Sequence, residues 1–215
     1  MTSAAAAAFL SGLAVIATPA AVHAGVIFET AAYTGVDTGE YIVQSSFWIG
    51  ATFTLGATTG ITGIGGQFGG YPSGEIFGAI VPVSGATGLP DFSPADIASN
   101  ALASVIFAAP GATTDLTEAL NVTLAAGTDA VVFGSGAFGA SGWGGLGDDN
   151  TTIGSPNFVR CASWNGNSWT QESFDGVRIA VSGAPEASTW AMIALGFAGL
   201  GWASNRGMRS SRALG

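Results

Sequence analysis

Between residues 47 and 55 the side chains alternate. Phe47, Ile49, Ala51, Phe53 and Leu55 take one set of positions, and Trp48, Gly50, Thr52 and Thr54 take the other. A period of two predicts a half-buried β-strand. Apolar runs over 76–83 and 102–109, the latter closed by Pro110-Gly111, predict two more. Leu120, Val122 and Leu124 alternate with Asn121 and Thr123, a turn follows over 125–128, and the apolar run resumes from Ala130 to Phe133. Segments 158–164 and 168–173 flank Asn165-Gly166-Asn167, and Asn-Gly supplies the positive φ angles of a tight hairpin turn. Val177, Ile179 and Val181 alternate as a last strand. The one helical start is Ser93-Pro94, where Ser caps, Pro fits the first turn, and the helix is short. Short strands between glycine-rich turns predict an all-β fold, an antiparallel β-sandwich or jelly roll.

The two ends break this pattern. Residues 4–22 are an uncharged, Ala-rich apolar run followed by Val22-His23-Ala24. An apolar stretch ending in a small-x-small triplet is the pattern of a secretory signal peptide, which places the cut between Ala24 and Gly25. Met1-Thr2-Ser3 lacks the usual Lys or Arg, and the alternative is a buried Ala-rich helix. Once cut, the chain loses His23, its single histidine. At the other end, 187–205 runs 19 residues without a charge, with Trp190 and Trp202 near its limits and Arg206, Arg209 and Arg212 after it. About 20 apolar residues span a bilayer as a helix, interfacial Trp anchors it, and the Arg cluster holds the C-terminus in the cytoplasm. The alternative, a buried core helix, fits poorly with a terminal Arg-rich tail.

Pro185-Glu186-Ala187-Ser188-Thr189-Trp190, an apolar helix and an Arg cluster together resemble the PEP-CTERM sorting signal of Gram-negative bacteria. The resemblance implies recognition and cleavage near the motif by exosortase, a membrane cysteine protease. It further implies export, transient anchoring, and attachment or release at the surface of bacteria that make exopolysaccharide. Pro185 and Glu186 match the first two motif positions; Ala187 stands where the family has its second Pro. The segment Leu124–Phe133 resembles a hairpin of choice-of-anchor domains, exported sandwiches that often carry this tail. The expected organisation is a signal peptide at 1–24, a β-sandwich ectodomain at 25–183 and a sorting signal at 184–212, with its motif at 185–187, transmembrane helix at about 187–205 and Arg-rich tail at 206–212. Signal peptidase and exosortase are the expected processing partners.

Charge and composition narrow the chemistry of the middle. Between the ends lie thirteen carboxylates against Arg160 and Arg178, a net charge of −11, and the chain has no Lys. Nucleic-acid binders neutralise phosphates with Lys and Arg, so that class is excluded. Without His or Lys the common nucleophile–base pairs are unavailable, and zinc lacks its Cys and His ligands. Cys161, the only cysteine, forms no internal disulfide and reads as a buried small hydrophobe, an intermolecular bridge or reactive thiol being the alternative. Paired carboxylates leave glycoside hydrolysis chemically open, but acids in this number read as a solvated surface.

Three stretches invite a ligand. Gly144–Thr152 contains Asp148, Asp149 and Asn150, hard oxygen donors in a glycine-rich turn that suit Ca²⁺, although the spacing is not an EF-hand and an exposed polar loop is the simpler reading. The glycine runs 60–70 and 134–147 lack the Gly-Lys-Ser/Thr ending of a phosphate loop. Trp143, Trp164 and Trp169 lie near the Gly/Asn-rich part. Trp164 and Trp169 are expected to fill the core across their hairpin, and Trp143, flanked by Gly142 and Gly144, is expected to be exposed and to contact glycan. The expected function is that of an exported, non-enzymatic surface or matrix protein, associated with exopolysaccharide and biofilm. A carbohydrate-binding module is the alternative, and a carboxylate-based extracellular hydrolase the third reading.

Overall fold

Alternating apolar residues over 116–124 put Leu120 and Leu124 on the buried side of one long strand and leave Thr117, Ala119, Asn121 and Thr123 in solvent. The same principle builds most of the molecule, which a computed structural model describes over residues 25–36, 39–162 and 168–184. Two six-stranded antiparallel sheets face each other. The first, the glycine-rich sheet, runs in the order β1 (Gly25–Glu29), β14 (Ile179–Ala184), β5 (Thr59–Ser73), β10 (Trp143–Gly147) and β3 (Glu40–Val43), with β8 (Thr114–Leu124) along the other edge of β5. The second, the covered sheet, runs β13 (Trp169–Glu172), β12 (Phe158–Ala162), β4 (Phe47–Leu55), β9 (Gly127–Gly134), β6 (Glu75–Pro82) and β7 (Ala103–Ala108). A small ladder pairs β2 (Ala31–Ala32) with β11 (Thr151–Thr152).

The core lies between the sheets. Ile49, Phe53, Ile80 and Phe133 from the covered sheet meet Ile64, Phe68, Leu146 and Val181 from the glycine-rich sheet. Phe133 stands edge-on to Phe68, ring centroids 5.1 Å apart, the arrangement aromatic quadrupoles favour. In β5, Ile61 and Ile64 are three residues apart, yet both are buried. Opposite β14 the register skips Thr62, so a bulge resets the alternation and returns both Ile side chains to the core.

The expectation of a half-buried strand over 47–55 needs correction. Trp48, on the face opposite Ile49, is also buried. With Phe77, Ala79, Val81, Val132, Val159 and Trp169 it forms a second core on the far side of the covered sheet. The connection between β6 and β7, carrying Leu89, Phe92 and Ile97, and the loop after β9, carrying Ala137 and Phe138, close over it. That explains why β6 reads as an unbroken apolar run: both of its faces are covered. Within the connection a 3-10 turn (Pro94–Asp96) leads into α1 (Ile97–Asn100), and the Ser93 hydroxyl accepts a hydrogen bond from Ala95 N, as its capping role predicts.

All of the glycine run 60–70 lies in strand β5, and the end of the run 134–147 is β10, neither of which the alternation signalled. Glycine is generally unfavourable in strands, and here it makes room. The Trp48 indole lies where a Cβ on Gly134 would stand, and its Nε1 donates to Ser135 O at 2.8 Å. The hairpin of β12 and β13 forms with Cys161 opposite Trp169; its tip, 163–167, lies outside the described residues, as does Trp164.

Candidate functional site

Leu146 points into the core, so by alternation Gly145 and Trp143 face outward on the glycine-rich sheet, as do Glu40 and Ile42 on β3, the strand paired with β10. The Glu40 side chain lies flat across Gly69 of β5 and Gly145 of β10. A Cβ on either glycine would overlap its carboxylate, and the Gly70 N–H donates to Glu40 Oε1 at 3.1 Å. Ile42 sits directly opposite Gly145. Trp143 opens the strand at the edge of this floor and is 42% exposed, as its glycine flanks predict. The result is a shallow surface with a glycine floor, a carboxylate on it, and one aromatic and one aliphatic side chain at its border. The Trp143 indole offers apolar area with a polar edge, whereas the Glu40 carboxylate is turned onto the glycines, one oxygen taking the Gly70 N–H and the other buried.

The other tryptophan of the described C-terminal part plays a different role. Trp169 is buried, donates from Nε1 to Phe92 O at 2.8 Å and packs against Trp48 at 6.0 Å. It is a core residue, as expected of it.

The stretch 148–150 divides. Asn150 is buried, and its amide is engaged on both sides. Thr34 N donates to Oδ1, while Nδ2 donates to Gln67 Oε1 and to Gly176 O. It braces the loops packed over the outer face of β5. The Asp148 and Asp149 carboxylates converge on Gly39, whose N–H donates to Asp149 Oδ2 at 3.1 Å. Among the described residues, no three of His, Cys, Asp and Glu come together as a metal-holding group.

Beside Gln67, Arg178 ties three strands together. Its Nε donates to Asp115 Oδ1 of β8 at 2.9 Å, and its Nη1 to Glu29 of β1 and to Ala31 O at 2.6 Å. Burial disfavours the charged guanidinium, yet the bonds to Asp115 and Glu29 outweigh it and raise the Arg178 pKa. Neither Glu40 nor this network stood out in the sequence, because each joins residues tens of positions apart. Cys161 is buried, and burial pushes its thiol up to about 11 against a smaller opposing pull from Arg160. In that state it is not a nucleophile near neutral pH.

Of the other residues singled out by sequence, Gly25 is the first residue of β1. Ala24, Pro185, Glu186, Ala187, Arg206, Arg209 and Arg212 lie outside the described residues, as do the expected signal peptide and transmembrane helix. Among the described residues no helix is long and apolar enough to cross a membrane.

Fold and surface together define an all-β protein of two facing antiparallel sheets. No protein-family model, curated protein or solved structure matches the chain.

Proposed function

We propose that this is an exported, non-enzymatic protein of the bacterial cell surface or extracellular matrix, processed at a PEP-CTERM-type tail and associated with exopolysaccharide. One observation carries the reading beyond the tail itself. The first described strand starts at Gly25 and the last ends at Ala184, and the two are neighbours. Cutting after Ala24 and near 185–187 would leave every described strand and pairing intact. Absence of His and Lys from 25–184 and the buried state of Cys161 support a non-enzymatic role. The test is expression in hosts with and without exosortase. The chain should collect in the membrane fraction with its tail when the protease is missing; the same distribution in both hosts would contradict the reading.

The second reading, a carbohydrate-binding module, draws on the exposed Trp143, two residues along β10 from Gly145 of the glycine floor. A glycan array with the protein and its Trp143→Ala variant tests it. Binding should fall away in the variant while the β-sheet circular dichroism is unchanged. Equal binding by both would contradict it.

A further inference from the structure

We propose that the apolar end of the sandwich around Val26 and Ile27 rests against the lipid interface while the tail is anchored. The inference depends on the membrane-tail reading above and goes beyond it by assigning a surface and an orientation. Gly183 lies opposite Gly25 and Ala184 opposite Gly60, so the last described residue stands beside the start of β1. There Val26 and Ile27 are 52% and 41% exposed, and with Phe28, Ile153 and Glu29, whose carboxylate is paired with Arg178, they line an open groove of about 410 Å³. Thr59 pairs with Leu124 and Leu55 with Gly127, which brings the β4–β5 turn (56–58) and the β8–β9 turn (125–126) to the same end. Both turns are exposed and neither carries a charge, in a domain with thirteen carboxylates.

Chain length then leaves little choice of position. From Ala184 to Ala187, where the uncharged run begins, three extended steps reach about 10 Å. With 187–205 in the bilayer, the end of the sandwich that carries Ala184 is held at the headgroups. A carboxylate there would lose hydration, whereas Val26, Ile27 and two uncharged turns meet the interface at little cost. At about 3.3 Å per residue, β5 carries its far end roughly 45 Å from Thr59. Trp143, paired with Ser73 at that end, is thereby turned away from the membrane.

The experiment uses the full unprocessed chain in phosphatidylcholine vesicles containing a headgroup nitroxide lipid. A fluorophore is placed on Ala57→Cys, on Ala126→Cys, and on Ala112→Cys near the opposite end. Cys161, buried and with its thiol pushed up to about 11, contributes little background. In the chain that floats with vesicles, probes at 57 and 126 should lose most of their fluorescence to the nitroxide, and the probe at 112 none. Flotation with no quenching at 57 and 126 would overturn this inference and leave the tail reading standing. Failure to float would overturn both. No quenching, together with a disulfide between two chains when the Ala57→Cys protein is oxidised before labelling, would mean that a second copy covers this end, and would also overturn it.

Discussion

Gly25 and Gly183 stand opposite each other in antiparallel register, the first residue of the first strand against the next-to-last residue of the last. The pairing is reinforced further along. The Thr30 hydroxyl donates to Val177 O at 2.6 Å and accepts from Ile179 N at 2.8 Å, and Arg178 reaches Glu29. The first and last described strands thus close one edge of the glycine-rich sheet against each other, which makes both of them structural.

Arg178→Ala should test that closure. It leaves Glu29 and Asp115 facing each other without the guanidinium and removes the donor to Ala31 O. The expected loss is about 2–3 kcal/mol in urea unfolding. That is less than the full penalty of a broken buried ion pair, because about a third of each carboxylate side chain is exposed. Arg178→Lys should recover only part of it, since one ammonium cannot serve acceptors on three strands with the fork of a guanidinium.

Gly134→Ala should cost about 1–3 kcal/mol, because its new methyl enters the space of the Trp48 indole. In a Trp48→Leu background the same change should cost less, and the difference in a double-mutant cycle measures the contact. Equal costs in both backgrounds would show that the two residues do not share that space.

Much of this architecture is legible in the sequence. Strands β4, β6, β7, β9 and β14 follow apolar runs or alternation, and the Ser93 cap and the hairpin around Asn165-Gly166 announce themselves through turn chemistry. Strands β5 and β10 do not. Gly69 and Gly145 leave room for the Glu40 carboxylate, Gly65 and Gly66 for the carbonyls of Leu116 and Arg178, and Gly147 for the Gln67 side chain, tertiary causes without a local signature. Short β1 and β3 each pair with one neighbour at the sheet edges, and two or three apolar residues set no period. The second core was hidden for another reason. Trp48 sits at an alternate position that solvent would also accept, and the β6–β7 connection together with the loop after β9 makes it buried. At the candidate site, the exposure of Trp143 is legible from its glycine flanks, whereas Glu40 lying across Gly69 and Gly145 is not.

Asp129 gives the fold a pH dependence of unusual sign. It lies opposite Phe53, and burial raises its pKa above the ordinary 3.8. A carboxyl whose folded pKa is raised favours folding when protonated, so its contribution is full below the unfolded pKa and is lost as pH rises through the folded one. Asp129→Asn should therefore raise the thermal midpoint at pH 7, with the gain shrinking as pH falls toward 4. A gain that is the same at both pH values would contradict the assignment.

An acidic domain of net charge −11 repels an anionic polysaccharide unless divalent cations bridge them. Binding of such a glycan should require Ca²⁺, be abolished by EDTA, and weaken when Asp148 and Asp149, the carboxylates beside Gly39, are changed to Asn. Binding of an anionic glycan that survives EDTA would contradict this. Neutral glycans held by Trp143 should bind with or without calcium.

The intact mass of the protein in membrane and medium fractions of its native host tests the central claim most directly. The expected product has lost residues 1–24 and everything beyond the motif at 185–187, leaving the sandwich from Gly25 to Ala184 whole. A mass that retains the C-terminal apolar run in both fractions would contradict processing at that tail, and Ala187 in place of the second proline would be the first residue to change.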